Sequence, residues 1–381
     1  MMPRIAVFHV SAGTGHTSAA RALGAAFARH PEAEVHTEDV FEHVNDLARK
    51  TITAAYNDLS TRLQPLYTMV HSGINLSDTG KALRANRAMT SAGRPFLTRF
   101  TRHVRALAPD AIVCTMQWPL HVLAAYAAER GVPIYAVITD YSVQSTWLME
   151  GVAGYFVAST ISRDALLARG VPAERIHVTG IPVRLAVAEP KSREAMRRRH
   201  ELPADGPVVT IFGGGVAAER VRHMVEHTLR LARPGVLVVV AGRNRELSGA
   251  LADLGDGPAM GLRLLDYVEY VDDLVAASDI VISKPGGLMT SEILARGAPM
   301  VVIDPVPGQE EWNADFVAAS GAGLQVRVPE LVPRAVEMLL ARPERLALMR
   351  AQAAEVGRPL AALAVAERVL ADLAGGAGAG G

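Results

Sequence analysis

A repeated unit of strand, glycine-rich turn and helix start constrains the fold of this 381-residue chain more than any other feature. Short apolar runs alternate with longer stretches rich in Ala, Arg and Leu, which is typical of βαβ units and parallel sheets. Two series of such runs indicate two α/β domains, because one core rarely extends over so many residues. The predicted strands are Ile5–Val10, Glu34–Glu38, Ala111–Thr115, Ile134–Thr139, Gly154–Ala158 and Ile176–Thr179, then Val208–Phe212, Val236–Ala241, Leu262–Leu265, Ile280–Ser283 and Met300–Ile303.

A proline-rich, charged interval separates the two series and predicts a linker over residues 183–206. We therefore expect an N-terminal domain over residues 1–182 and a C-terminal domain over residues 207–372. The last residues, 373–381, end in Gly and Ala only and predict a disordered tail. Ligands of such folds bind at the carboxyl ends of parallel strands, so the two Rossmann-like domains are expected to face each other across a cleft.

Charge and cysteine content exclude several classes of protein. Lys+Arg and Asp+Glu balance at 39 each, so no overall field favours nucleic acid. The single cysteine, Cys114, lies in an apolar run and predicts a buried thiol in a reducing compartment. The N-terminal apolar run is too short for a signal peptide, and no stretch approaches the roughly 18 apolar residues of a membrane span. A cytoplasmic protein with only peripheral membrane contact is expected.

The first glycine-rich turn follows the first predicted strand and leads into a helix. Gly13 and Gly15 allow the backbone to approach a ligand, and a helix N-terminus favours an anion. His16, at the helix start, is a candidate general base because imidazole titrates near neutral pH. A histidine that only forms local hydrogen bonds is the alternative.

A dinucleotide site is a competing interpretation of the same turn. Glu38 and Asp39 end the second strand, where an acid that binds ribose would lie. The third glycine of that fingerprint is replaced by Ser18, which weakens the pattern.

The second series carries polar and glycine-rich turns after successive strands, and their recurrence indicates a nucleotide-sugar pocket. Glycine turns before helices would hold a diphosphate, a carboxylate would accept the ribose hydroxyls, and amides would bind sugar hydroxyls. The candidate donor-binding residues are Gly213, Gly214, Gly215, Arg243, Asn244, Gly286, Gly287, Thr290, Glu292, Gln309, Glu310 and Asn313, together with Gly13 and Gly15.

As an ordered set, these motifs resemble glycosyltransferase family 28, and within it the branch of monogalactosyldiacylglycerol synthases and processive diacylglycerol glucosyltransferases. The resemblance runs from the first strand to about residue 325. It is carried by Gly13-x-Gly15-His16-x-x-Ala19-Ala20, Thr139-Asp140 followed by Trp147, Gly213-Gly214-Gly215, Gly242-Arg243-Asn244, Lys284-Pro285-Gly286-Gly287-x-x-Thr290-x-Glu292 and Pro307-Gly308-Gln309-Glu310-x-x-Asn313.

The resemblance implies a GT-B fold and inverting, metal-independent transfer from a UDP-α-sugar. It assigns His16 as the base, with Asp140 as a second catalytic residue, and Glu292 as the ribose ligand. Gln309 and Glu310 would contact the donor sugar. The stretch between Asp140 and Trp147 departs from the family pattern, as does Trp312 before the last asparagine, so acceptor and donor sugar stay open.

No metal or other cofactor is expected. The chain contains no Asp-x-Asp pair, the usual clamp for a metal-bound diphosphate. Helix N-termini after Gly215 and Gly287 would stabilise the leaving group instead. The run from His223 to His227 matches His-x-x-Glu-His, a zinc-hydrolase pattern, but no clear third ligand follows it, so a chance match is favoured.

A basic, amphipathic segment, Arg62–Arg105, predicts contact with an anionic lipid surface. It holds eight Lys/Arg and one acid, Asp78, in a chain of zero net charge. A core helix with a solvated face is the alternative. The residues assigned to the membrane or acceptor side are Arg94, Phe96, Arg99, Phe100, Arg102, Arg105 and Trp147.

The predicted activity is transfer of glucose or galactose from a UDP-sugar to diacylglycerol, which forms a β-glycolipid. Two alternatives use the same donor chemistry: transfer of N-acetylglucosamine to a polyprenyl-linked precursor, and a UDP-sugar 2-epimerase. A non-catalytic nucleotide-sugar sensor is the fourth interpretation.

Overall fold

The computed structural model describes residues 2–11, 14–44, 75, 77–93, 97–308 and 310–378. The chain divides into two compact units. The first comprises Met1–Leu185, Val306–Gln309 and Leu360–Gly381, and the second comprises Ala186–Pro305 and Glu310–Pro359. Each unit contains one six-stranded sheet in which every described strand pair is parallel. The predicted pair of Rossmann-like α/β domains is confirmed.

The sheet of the first unit has the strand order β2-β1-β3-β4-β5-β6. Its central strands are buried along their length because helices cover both faces, as parallel sheets require. The strands are β1 (Arg4–His9), β2 (Glu34–Asp39), β3 (Ala111–Cys114), β4 (Ile134–Val137), β5 (Val152–Val157) and β6 (Ile176–Val178); the helices are α1 (Thr14–Phe27), α2 (Thr79–Gly93), α3 (Thr98–Leu107), α4 (Gln117–Arg130), α5 (Thr160–Leu167) and, at the C-terminus, α14 (Ala361–Gly378).

The sheet of the second unit has the order β12-β11-β10-β7-β8-β9. Its strands are β7 (Val208–Phe212), β8 (Gly235–Gly242), β9 (Met260–Asp266), β10 (Ile280–Ser283), β11 (Met300–Ile303) and β12 (Gly323–Val326). Its helices are α6 (Arg193–Arg199), α7 (Ala218–Leu229), α8 (Arg245–Leu251), α9 (Val271–Ala277), α10 (Gly287–Ala295), α11 (Glu311–Ala319), α12 (Val332–Leu340) and α13 (Pro343–Val356).

The sequence did not predict one strand of the second sheet. All eleven predicted strands exist, with ends shifted by a few residues, but β12 was missed. Glycine ordinarily weakens a strand, so a run that begins at Gly323 carries a poor strand signal. In the structure a Cβ at Gly323 would lie 2.3 Å from the carbonyl oxygen of Met300, so only glycine fits the close approach of the two strands.

The C-terminal helix α14 belongs to the first unit and packs on α1. Its side chains Val365, Ala366 and Val369 are fully buried in the core of that unit. The sequence assigns residues up to 372 to the second domain and predicts a disordered tail beyond them, whereas the helix extends to Gly378. Alanine has the highest helix propensity, and burial of the apolar stripe stabilises the helix further.

Candidate functional site

His16 lies at the carboxyl ends of three neighbouring strands of the first sheet. It occupies the first turn of α1, directly after β1. Its Nδ1 lies 2.7 Å from the carbonyl oxygen of Thr115, the residue after β3. The hydroxyl of Thr139, two residues after β4, lies 3.0 Å from the same nitrogen. In addition, the Thr115 hydroxyl donates to the carbonyl of His16 at 3.1 Å. Residues that follow β3 and β4 therefore fix the orientation of the imidazole.

These contacts determine the tautomer of His16. A carbonyl oxygen can only accept, so Nδ1 carries the proton and donates it to Thr115, while Nε2 presents a lone pair. Burial lowers the pKa of His16, and the neighbouring His9 lowers it further, whereas the bond to Thr115 acts in the opposite direction. The side chain is therefore a neutral imidazole near pH 7, which is the state that a general base requires.

The two acids at the end of β2 are engaged within the first unit. Asp39 Oδ1 accepts from the backbone N–H of Ser11 at 3.2 Å and from that of Phe41 at 3.0 Å. It thereby holds the glycine-rich turn and caps a short helix. Glu38 pairs with His43 and His103. Loop structure thus accounts for both carboxylates that the dinucleotide interpretation needs.

Two further predicted residues of the first unit, Gly15 and Asp140, are described. Gly15 lies in the first turn of α1, and a Cβ added there would meet no heavy atom within 4 Å. Asp140 follows Thr139 and is half-buried. Gly13, Arg94, Phe96 and Gln309 lie outside the described residues.

Two aromatic residues assigned to the membrane or acceptor side, Phe100 and Trp147, belong instead to the core of the first unit. Phe100 is fully buried on α3 and packs edge-to-face on Phe8, with ring centroids 5.0 Å apart. Trp147 is 3 % exposed. Neither side chain is accessible to a lipid surface, so this part of the prediction is wrong: their apolar area is used to pack helices onto the sheet.

The arginines of the same helix do face solvent. Arg99, Arg102 and Arg105 are exposed, and Arg105 forms an ion pair with Glu129 at 2.9 Å. α3 is therefore a core helix whose outer face is basic.

In the second unit, three predicted turns follow adjacent strands. β10 lies between β7 and β11 in the sheet. The glycine triplet Gly213–Gly215 follows β7, the turn before α10 follows β10, and the loop that contains Glu310 follows β11. The order of the strands thus brings these turns together at the carboxyl ends of the strands, as the sequence predicts.

The turn before α10 has an open helix N-terminus. Gly286 is the N-cap, and no side chain of the described residues caps the helix. The first N–H groups of a helix have no partner within it and favour an anion. Lys284 Nζ lies 3.8 Å from Glu310 Oε2, and a Cβ on Gly286 would lie 3.5 Å from Glu310 Oε1. A cation and a carboxylate therefore flank this N-terminus.

Two polar residues of this region are buried on α10. Glu292 is 6 % exposed, and Thr290 is fully buried with no hydrogen-bond partner for its hydroxyl among the described residues. Asn313, predicted to bind the donor, donates from Nδ2 to the carbonyl of Pro285 at 2.8 Å. This bond helps to fix the turn before α10.

The three glycines of the Gly213–Gly215 triplet differ in how closely other atoms pack around them. A Cβ on Gly213 would lie 2.9 Å from Leu247 Cδ2, and one on Gly214 would lie 3.0 Å from the carbonyl oxygen of Ala241. Gly215 has only Lys284 Cδ nearby, at 3.6 Å. Close packing excludes a side chain at Gly213 and Gly214, whereas a side chain at Gly215 would meet only Lys284.

The remaining predicted residues lie after β8. Asn244 caps α8 by accepting from the N–H of Leu247 at 3.1 Å. Arg243 is exposed and lies over the ring of Tyr267, with the guanidinium carbon 4.5 Å from the centroid. Asn244 thus has a structural role, while Arg243 is accessible to a ligand.

Sequence patterns missed the partners that orient these groups. Thr115 carries no motif of its own, and its position directly after a strand was the only signal. Asp304, after β11, has a φ of +44° and pairs with Arg220 of α7. A positive φ at a non-glycine residue is uncommon and cannot be read from sequence.

The His-x-x-Glu-His pattern lies on α7. The rings of His223 and His227 stack with centroids 4.1 Å apart, and Nδ1 of His227 lies 3.0 Å from the carbonyl of His223. In the part of the chain that the structure describes, no third ligand completes this pair. None of the described helices is long and apolar enough to span a bilayer.

Comparison with known proteins identifies the family. Residues 16–183 match the family described as monogalactosyldiacylglycerol (MGDG) synthase, and residues 208–364 match the glycosyltransferase family 28 C-terminal domain. A processive diacylglycerol beta-glucosyltransferase of Bacillus licheniformis is 26 % identical over 349 residues, which cover 91 % of this chain and 89 % of that protein.

Solved structures share the fold. MurG of Acinetobacter baumannii superposes with a TM-score of 0.65 at 16 % identity, covering 97 % of this chain and 99 % of that one. UDP-GlcNAc 2-epimerase of Neisseria meningitidis, solved with UDP-GlcNAc bound, superposes with a TM-score of 0.63 at 14 % identity, covering 97 % and 100 %. The two matched domains together span most of the chain, and the described units carry the parallel sheets expected of a GT-B fold. The chain therefore belongs to glycosyltransferase family 28, with an N-terminal domain of the monogalactosyldiacylglycerol synthase type.

Proposed function

We propose that this glycosyltransferase moves a hexose, glucose or galactose, from a UDP-α-sugar to the free hydroxyl of diacylglycerol and forms a β-glycolipid. The name of the B. licheniformis relative supports a diacylglycerol acceptor and a β-linked glucose. The observation that carries the proposal is the 2.7 Å contact between His16 Nδ1 and the carbonyl of Thr115, because it leaves Nε2 as a free base.

In the proposed reaction, the acceptor oxygen attacks the anomeric carbon from the side opposite UDP. The new carbon–oxygen bond forms as the bond to the β-phosphate breaks, which inverts the anomeric centre. Nε2 of His16 takes the hydroxyl proton, so the acceptor attacks as a developing alkoxide. The low pKa of the buried imidazole supports this role, since the base is already neutral at pH 7.

UDP leaves with its negative charge on the diphosphate. The uncapped N-terminus of α10 supplies backbone N–H groups for that charge, and the space beside Gly215 lets the diphosphate approach the backbone. Lys284 adds a positive charge beside the same turn. We assign the ribose hydroxyls to Glu292 and the donor sugar to Glu310, with no metal ion in the transfer step.

The acceptor is a membrane lipid, so the enzyme must act at a bilayer surface. The net charge of +7 over Arg62–Arg105 supports docking on anionic lipid. Arg99 and Arg102 present part of that charge on the outer face of α3. We therefore propose a peripheral association in which arginines, rather than the buried aromatic residues, make the contact.

One assay tests the proposed activity. Purified protein is incubated with radiolabelled UDP-glucose, UDP-galactose or UDP-N-acetylglucosamine and with diacylglycerol vesicles, and the lipid products are identified. We expect a β-hexosyl lipid from one of the first two donors, with the same yield in the presence of a chelator. Parallel reactions contain a polyprenyl-linked acceptor or no acceptor. Product only with the polyprenyl acceptor, or epimerised donor without acceptor, would replace the proposal with one of its alternatives.

The His16→Ala variant tests the base. It should lose roughly 10²–10⁴-fold in kcat. UDP affinity, measured by calorimetry, should be unchanged because the diphosphate site lies on the second unit. His30→Ala, a half-buried histidine of the same unit, is the control. Turnover of His16→Ala at the level of this control would exclude His16 as the base.

A further inference from the structure

Three potential metal ligands converge at the edge of the first sheet, where no described catalytic or donor group lies. Glu38 is on the edge strand β2, His43 ends the short helix Val40–His43, and His103 is on α3. One ligand atom of each lies within 4.8 Å of the others, and all three side chains are half-buried. They come from three separate elements, so the tertiary fold rather than one local motif assembles them.

Both histidines direct Nε2 at the same carboxylate oxygen. Nε2 of His43 lies 3.1 Å from Glu38 Oε2, and Nε2 of His103 lies 2.7 Å from that atom. The two rings stack, with centroids 4.2 Å apart and planes inclined by 23°. Two imidazoles therefore share one carboxylate oxygen.

Only one of these two contacts has the geometry of a hydrogen bond. His43 forms an aligned hydrogen bond with Glu38. Nε2 of His103 is shielded from solvent and, among the residues that the structure describes, has no partner in hydrogen-bonding geometry despite the short distance to Oε2. A shielded nitrogen without a partner is rare and calls for an explanation such as a bound ion.

We propose that Glu38, His43 and His103 bind a divalent transition metal ion, with Zn²⁺ as the best match. Two imidazole nitrogens and one carboxylate oxygen are ligands that suit zinc, with bonds of about 2.0–2.2 Å. Ligand atoms around a tetrahedral ion of that size lie roughly 3.4 Å apart. The observed distances to Oε2, 3.1 and 2.7 Å, fall short of this by about 0.3 and 0.7 Å, which rotations of the side chains can provide.

A bound ion would satisfy all three ligand atoms at once and leave a fourth position for water. It would also connect α3, the end of the basic segment, to the edge strand β2. This site is separate from the proposed transfer chemistry, so its existence does not depend on the proposed function. Metal binding here is also compatible with transfer that resists chelators.

Metal titration of the untagged, full-length protein tests the proposal. Calorimetry with Zn²⁺, and the visible ligand-field spectrum with Co²⁺, should each show one tight equivalent. Glu38→Gln, His43→Gln and His103→Gln should each weaken Zn²⁺ by at least about tenfold, since loss of a direct ligand costs more than loss of a supporting contact. Circular dichroism verifies that each variant is folded.

Two controls use histidines elsewhere in the chain. His36→Gln alters the 2.9 Å pair with Glu34 on the same strand, to which no residue of the described part of the chain adds a third ligand. The double variant His223→Gln/His227→Gln removes the stacked pair on α7. Both should keep wild-type Zn²⁺ affinity. The proposal would be overturned if the wild-type protein did not bind Zn²⁺, or if all three ligand variants kept wild-type affinity. Loss of binding only in the α7 double variant would overturn it as well.

Discussion

Nδ1 of His16 donates to the carbonyl of Thr115 across 99 residues of sequence, at 2.7 Å. A side-chain mutation cannot remove a backbone carbonyl, so the backbone after β3 determines the tautomer of the imidazole.

The pH dependence of transfer should reflect a lowered pKa. Burial favours the neutral form of His16 and moves its pKa below the ordinary value of 6.5. The neutral form is the active base, so kcat/KM should rise with pH through this pKa and be level at pH 7. The acidic limb of a pH–rate profile should thus have its midpoint below 6.5, and His16→Ala should lack that limb. A midpoint above 6.5 contradicts the assignment.

Glu292→Gln should weaken UDP without unfolding the protein. Loss of charged hydrogen bonds to the ribose costs about 1.5–3 kcal/mol, which is roughly a 10- to 150-fold rise in Kd. The near-isosteric amide limits structural damage at this buried position, and a melting curve checks it. Glu337→Gln, a half-buried carboxylate of α12, is the matched control and should bind UDP normally. Equal Kd values for both variants would remove the ribose assignment.

Substitutions in the glycine triplet should separate packing from ligand approach. Gly214→Ala places a Cβ 3.0 Å from a backbone oxygen and should lower the melting temperature. Gly215→Ala meets only a flexible lysine and should keep its stability, but raise the KM for the donor because the methyl group enters the space for the diphosphate. The control Gly249→Ala, in the open on α8, should add about 0.5–1 kcal/mol of stability. Wild-type KM for Gly215→Ala would place the diphosphate elsewhere.

Binding to vesicles should depend on anionic lipid and on salt. The double variant Arg99→Gln/Arg102→Gln should lose about 2 kcal/mol, near 30-fold in partition coefficient, at ~1 kcal/mol per basic residue. Binding should also fade as salt shortens the Debye length. Arg334→Gln, an exposed arginine of the second unit, serves as the control. Undiminished binding of the double variant, or equal binding to neutral vesicles, would contradict electrostatic docking.

Strand positions and the glycine-rich turns after them were predictable because both depend on local signals. A buried parallel strand must be a continuous apolar run, and a turn that approaches an anion needs glycine. For that reason eleven strands, and the placement of Gly213–Gly215 and the Gly286 turn at one sheet edge, follow from sequence alone.

Side-chain partners that are distant in sequence could be decided only by the tertiary structure. Phe100 and Arg99 are neighbours on one amphipathic helix, but packing on Phe8 determines that the ring is buried while the guanidinium is exposed. Likewise, the sequence predicts Asn313 in a loop suited to sugars, whereas in the structure it lies in the first turn of α11 and its amide donates to the Pro285 carbonyl. The physical reason is the same in each case: a local pattern sets which residues are apolar or polar, whereas burial and hydrogen-bond geometry depend on which distant element lies opposite, as with Thr115 and His16.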